Sequence, residues 1–225
     1  MTFHILTIFP EVIEPYFKES VLGKAFQKGI IKIKLYNLRD FANDKHKKVD
    51  DKAYGGGPGM VVSVEPLMRA IEYILKGKPK NSVKILLTDA SGKQFNNKIA
   101  SQLAKSSKHL IIIAGRYEGI DERVIRILKS KKGLGLSVEK ISVGPYVLTG
   151  GEVPAMVIVD AISRQIKGVL GKEFSLEERR LGVGVPVFTR PEVYEYKDGR
   201  YSVPKELVSG NHKKIEEWRK KHRRA

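Results

Sequence analysis

Short, continuous apolar runs alternate with stretches of helical period along this chain. Phe3–Phe9 and Ile30–Leu38 read as strands, with a helix near Glu11–Gln27 between them. Asp40–Met60 is polar and then glycine-rich, which predicts a loop. From Ser63 to Leu75 the apolar residues fall at Leu67, Ala70, Ile71 and Ile74, a helical spacing with Ser63 as N-cap. Val83–Leu87 and Leu110–Ala114 are short apolar strands on either side of a helix over Asn96–Ala104. A short helix follows Asp121 to Leu128, Lys129–Leu136 reads as a basic surface insertion, Ile141–Val143 as a strand and Glu152–Ile166 as a helix. Strands that are apolar on both faces, set between helices, predict an α/β fold with a parallel sheet covered on both sides.

After Lys167 the character changes. Gly168–Pro191 holds several Gly and Pro residues without a period, which predicts a linker or loop. The remainder reads as a small helical appendage, its last helix near Lys213–Lys221 placing Ile215 and Trp218 among many Lys and Arg. The division expected is therefore 1–166, a flexible linker over 167–190, and a basic helical domain over 191–225.

Composition narrows the partner. The 225 residues are 41% hydrophobic, enough for a core, and carry a formal net charge of +17. A polyanion suits that charge, because neutralising phosphates releases condensed counterions. An anionic membrane surface is the rival, and a lysine-rich proteome a partial cause. Only the C-terminal helix resembles a basic amphipathic segment, and no apolar run approaches the roughly 20 residues needed to cross a bilayer. There are no cysteines, which excludes disulfides and thiolate metal sites and suits a reducing cytoplasm. The five histidines lack paired metal-ligand spacing, so no metal site is expected from them.

Three glycine-studded loops carry the candidate chemistry. Tyr54-Gly55-Gly56-Gly57-Pro58-Gly59 removes nearly every Cβ, letting backbone approach a ligand. Gly115-Arg116-Tyr117-Glu118-Gly119-Ile120-Asp121 begins where a strand ends, the place where open α/β sheets bind ligands; its charges could equally sit in water at a plain strand–helix junction. Ser142-Val143-Gly144-Pro145-Tyr146-Val147-Leu148-Thr149-Gly150-Gly151 repeats the theme before a helix whose first amides could meet an anion. Three such loops at one end of a sheet predict a shared pocket. No Walker A loop, dinucleotide fingerprint or nucleophile elbow is present.

These residues resemble the bacterial tRNA (guanine-N1)-methyltransferases, the TrmD family of the knotted SPOUT class. The likeness runs through Phe3–Pro10, Val49–Val61, Gly115–Val124, Ile141–Met156, Thr189–Val193 and Ser209–Arg219. It implies an α/β domain with a deep trefoil knot, a C-terminal helical tRNA-binding domain, and a homodimer with shared active sites. It also implies S-adenosyl-L-methionine as cofactor, a Mg²⁺ requirement, and tRNA as substrate, methylated at the guanosine immediately 3′ of the anticodon. By resemblance the cofactor pocket comprises Leu87, Thr88, Gly92, Gly115, Tyr117, Glu118, Gly119, Ser142, Val143, Gly144, Tyr146, Leu148, Gly150, Gly151 and Pro154. The substrate side comprises Asp50, Tyr54, Gly55, Gly56, Gly57, Gly59, Asn211 and His212.

Guanine N1 carries a proton, so a base must remove it and a cation should stabilise charge at O6. By resemblance Arg164, on the helix after the third loop, is that cation. The family's linker aspartate is absent: no aspartate lies between Asp160 and Asp198, and Glu178 is the nearest carboxylate in register, with Glu177 second. The cofactor turn Leu87-Thr88-Asp89-Ala90-Ser91-Gly92 is one residue longer than the family's, and Pro145 replaces an aspartate. Two other functions stay open: a related knotted methyltransferase with a different RNA target, and a non-catalytic RNA-binding relative that lost the base.

Overall fold

The computed structural model describes residues 1–130, 132–171 and 184–223. The chain divides into two compact units, Met1–Leu170 and Gly171–Ala225.

In the first unit five parallel strands lie in the order β2-β1-β6-β5-β7: β1 (Thr2–Thr7), β2 (Lys32–Asn37), β5 (Val83–Gln94), β6 (His109–Ile113) and β7 (Ser137–Ser142). The central β6 is buried through Leu110, Ile111, Ile112 and Ile113, as a strand covered on both faces must be. On one face pack α1 (Pro10–Lys18), α2 (Ser20–Gln27), α4 (Asn97–Ser106) and α6 (Glu152–Arg164), closing a core around Phe3, Ile5, Ile112, Ile158 and Ile162. On the other, α3 (Val64–Leu75) and α5 (Glu122–Lys129) cover Leu6, Ile85, Ile111 and Ile113. The parallel α/β architecture is thus the one the apolar runs predict.

Several details differ from the sequence expectation. The helix near Glu11–Gln27 is two helices, broken where Glu19 is extended and Ser20 takes φ +58°. The Asp40–Met60 stretch is not all loop. Its end forms an antiparallel pair, β3 (Asp50–Lys52) with β4 (Met60–Val62), that frames the first glycine loop. Ser63 occupies the N-cap of α3 but makes no side-chain capping bond there, whereas Asn96 Oδ1 accepts from Ile99 N–H and Asp121 Oδ1 from Arg123 N–H. β5 continues past Leu87 to Gln94, with its register against β7 shifting between Thr88 and Lys93. That irregularity absorbs the longer turn.

The second unit is not purely helical, as the 191–225 expectation had it. It opens with a hairpin, β8 (Val193–Tyr196) and β9 (Gly199–Ser202), followed by α7 (Lys205–Val208) and α8 (His212–Lys221). Alternating tyrosines about a Lys-Asp turn favour a ribbon over a helix.

Candidate active site

The carboxyl ends of β5, β6 and β7 deliver the chain into one cavity of about 210 Å³. It is walled by Leu87–Ala90, Gly115–Ile120, Ile141–Gly144, Tyr146–Gly151 and Pro154. Every residue that the resemblance assigns to the cofactor lines this cavity except Gly92. That glycine lies against β7, where a Cβ would sit 2.5 Å from Ile141 N. Six lining residues escaped the assignment: Asp89, Ala90, Arg116, Ile120, Val147 and Thr149; Ile141, taken only as a strand residue, also lines it.

The two later loops are fastened together at the strand ends. Gly151 N–H donates to Gly115 O at 2.7 Å, Gly115 N–H donates to Thr88 Oγ1 at 3.2 Å, and Thr88 Oγ1 donates to Ile113 O at 3.2 Å. This approach needs glycine: a Cβ on Gly151 would overlap Thr88 Oγ1 and lie 2.6 Å from Gly115 N. Gly115 differs. Its Cβ would have ordinary clearance, 3.5 Å from Thr88 O, so the missing side chain there leaves room rather than avoiding a collision. Tyr117 (φ +60°) and Gly119 (φ +126°) turn the loop back on itself.

The first loop joins through its base. Glu118 N–H donates to Met60 O at 3.0 Å, Val62 N–H to Gly119 O at 3.0 Å and Asp121 N–H to Val62 O at 3.1 Å. A Cβ on Gly59 would overlap the Glu118 side chain. Gly55, Gly56 and Gly57 take φ of +88°, +86° and +119°, a run that side chains would strain, and Tyr54 at the tip is 99% exposed. Asp50 begins β3, half-buried. None of these lines the cavity, but the base of the loop is bonded to Glu118 and Gly119, which do.

An ion pair that sequence reading missed lies under the pocket. Glu152, first residue of α6 and 2% exposed, accepts from Arg116 Nε at 3.0 and 3.2 Å and from Thr7 Oγ1 at 2.7 Å. Arg116 Nη1 donates to Thr149 O at 3.4 Å, and its guanidinium lies 4.6 Å from the centre of the Phe9 ring. The pair crosses directly over Gly150, where a Cβ would strike both partners. One charged contact thus ties the end of β1, the second loop and the third. Outside the wall, Lys140 Nζ bridges Asp89 Oδ2 at 3.2 Å and Glu122 Oε2 at 3.0 Å, tethering the lengthened turn.

The remaining predicted residues lie elsewhere. Arg164 closes α6, half-buried, roughly 18 Å from the helix start that lines the cavity. Asn211 caps α8, its Oδ1 accepting from Lys213 and Lys214 N–H at 3.1 and 3.2 Å, and His212 opens that helix. Glu178 and Glu177 fall outside the described residues. Among the described residues no three His, Asp or Glu side chains come together to hold a metal ion, and no helix is long and apolar enough to cross a membrane.

A parallel α/β sheet with a glycine-walled cavity at its carboxyl edge is the arrangement in which open α/β proteins take up small ligands. Comparison with known proteins narrows this class. The family model described as tRNA (Guanine-1)-methyltransferase TrmD matches residues 1–225, and the chain belongs to that family of enzymes. Among its relatives named tRNA (guanine-N(1)-)-methyltransferase, that of Dictyoglomus turgidum is 47% identical, with 96% of this chain and 82% of the relative aligned. That of Carboxydothermus hydrogenoformans is 46% identical (98% and 82%), and that of Clostridioides difficile 43% identical (98% and 91%).

Proposed function

We propose that this chain transfers a methyl group from S-adenosyl-L-methionine to N1 of the guanosine immediately 3′ of the anticodon in tRNA, in the cytoplasm. The observation that carries the reading is the glycine-walled cavity, which gathers the loops that resemble the family's cofactor site. Its walls fit a nucleoside cofactor. Glycine at 115 leaves room at the strand end for a flat base and ribose, and Leu87, Leu148 and Pro154 supply apolar contact. When bound, the cofactor supplies an electrophilic methyl on a sulfonium with a good leaving group, so no covalent enzyme intermediate is required.

Glu118 offers a carboxylate to the ribose or the methionine end. Asp50, Tyr54 and the Gly55–Gly59 loop face the substrate side of the same opening, and Asn211 and His212 contact tRNA from the second unit. Glu178 accepts the proton from guanine N1, and Arg164 neutralises the charge that develops at O6. Mg²⁺, which the resemblance implies, finds no protein ligand cluster among the described residues, and these steps do not pass through it.

Arg164 bears on the assembly. It stands a helix length from the cavity of its own chain, which supports a homodimer in which each site draws Arg164 from the partner. A half-exposed apolar face is consistent with such a partner. Val12 and Tyr16 on α1 lie beside Val153 and Val157 on α6, all about half exposed, with Tyr16 OH donating to Asp160 at 2.6 Å. The strand order supports the knotted reading: the segment leaving β7 crosses the end of β5 to reach Gly115 beyond β6.

Incubation with methyl-labelled S-adenosylmethionine and unmodified tRNA, followed by mapping of the product, tests this reading. Label at N1 of the guanosine after the anticodon is the expected result. Label elsewhere moves the chain to another RNA target, and tight tRNA binding without transfer makes it a non-catalytic relative.

A further inference from the structure

The β8–β9 hairpin presents three tyrosines on one face. Tyr194 lies directly opposite Tyr201, and Tyr196 opposite Gly199, so by strand alternation all three point the same way. They are 58%, 56% and 62% exposed for Tyr194, Tyr196 and Tyr201. Glu195 and Arg200 take the other face and pair at 3.4 Å. Glycine at 199 is what lets the Tyr201 ring lean across the ribbon: a Cβ there would lie 3.0 Å from its edge. Lys197, in the two-residue turn, sits 5.6 Å from the centre of the Tyr196 ring.

Tyrosine rings make up most of this face, and tyrosine keeps both a flat π surface and a wet hydroxyl. The unit around it is basic. Residues 184–223 hold ten Lys and Arg against six Asp and Glu, five of the cations on α8. Flat exposed rings beside cations are the arrangement that stacks unpaired nucleic-acid bases while phosphates are held nearby. We infer that the Tyr194–Tyr196–Tyr201 face is a stacking platform for unpaired RNA bases. It rests on the proposed tRNA substrate only for the identity of the RNA, and it places a loop or an end of that RNA, rather than duplex, on the hairpin.

The test uses the full chain with two probes, a single-stranded oligouridine and a blunt RNA duplex with the same number of phosphates. Tyr201→Ser, Tyr194→Ser and Tyr196→Ser should each weaken oligouridine binding about 5- to 100-fold, with duplex binding unchanged and the Tyr→Phe counterparts retaining wild-type affinity. Unchanged oligouridine binding in all three Ser variants overturns the inference, as does an equal loss on duplex. A change of oligomeric state in place of RNA affinity makes the face a protein contact and also overturns it. A wild-type chain that binds oligouridine through these tyrosines yet methylates no tRNA would sink the proposed reaction while supporting the platform.

Discussion

The two ends of the central sheet bury polar groups in opposite ways. At the amino end, His4 on β1 is fully enclosed, its Nδ1 3.0 Å from Tyr36 OH and its Nε2 3.3 Å from His109 Nδ1. Tyr36 packs in turn on Tyr73. These rings fill the space and satisfy one another. Burial, then the charges of Lys78, His109 and Lys34, push the His4 pKa down to about 3, so the ring stays neutral. At the carboxyl end the strands terminate in glycine loops, and the charge buried there, Glu152, is paired with Arg116 beneath an open cavity. One end spends its polar groups on closure. The other spends them on holding walls apart.

That contrast can be broken from either side. The largest effect is expected outside both ends, at Arg164. Arg164→Ala should lower kcat about 100- to 1000-fold, as loss of one charge-stabilising donor does, with cofactor affinity nearly unchanged. Steady-state kinetics with saturating tRNA and a cofactor titration measure the two, and unchanged turnover removes Arg164 from the reaction. Next comes Arg116→Met, which leaves the Glu152 carboxylate buried without its ion-pair partner. Because Arg116 is itself partly exposed, the expected cost is about 3 kcal/mol, at the low end for a broken buried pair, read by urea unfolding. A change near zero would mean that water already satisfies Glu152 and that the pair does not hold the loops.

The smallest effect belongs to the amino end. His4 binds a proton near pH 6.5 when unfolded but only near 3 when folded. Its contribution is therefore fully present above pH 6.5 and is lost as pH falls through the window from 6.5 to 3. The slope is at most roughly 1.4 kcal/mol per pH unit. His4→Gln should flatten that part of the stability curve while leaving methyl transfer at pH 8 within about twofold, since neither ring reaches the cavity. An unaltered acid slope would place the titration elsewhere.

How far the sequence led differs between the same two ends. The glycine loops were legible because clustered glycines have a local cause: positive φ at Gly55–Gly57 and Gly119, and close packing at Gly151. The Arg116–Glu152 pair was not, because its partners are 36 residues apart and Glu152 reads locally as an acidic helix start. The extension of β5 was hidden by Asp89 and Lys93, polar residues that a bulged strand end tolerates. The tyrosine hairpin had a signal, alternation about a short polar turn, that the basic helix after it overshadowed. The proton acceptor assigned to Glu178 lies outside the described residues.

The central claim is that the carboxyl-end cavity is where the cofactor binds. Gly115 is the place to test it, because it lines the cavity and a Cβ there would meet only ordinary contacts, the nearest 3.5 Å from Thr88 O. Calorimetric titration with S-adenosylmethionine should give saturable binding to the wild-type chain and to His4→Gln. Gly115→Val should lose at least tenfold in affinity while its melting temperature stays within a few degrees. Wild-type affinity in a folded Gly115→Val chain would contradict the account.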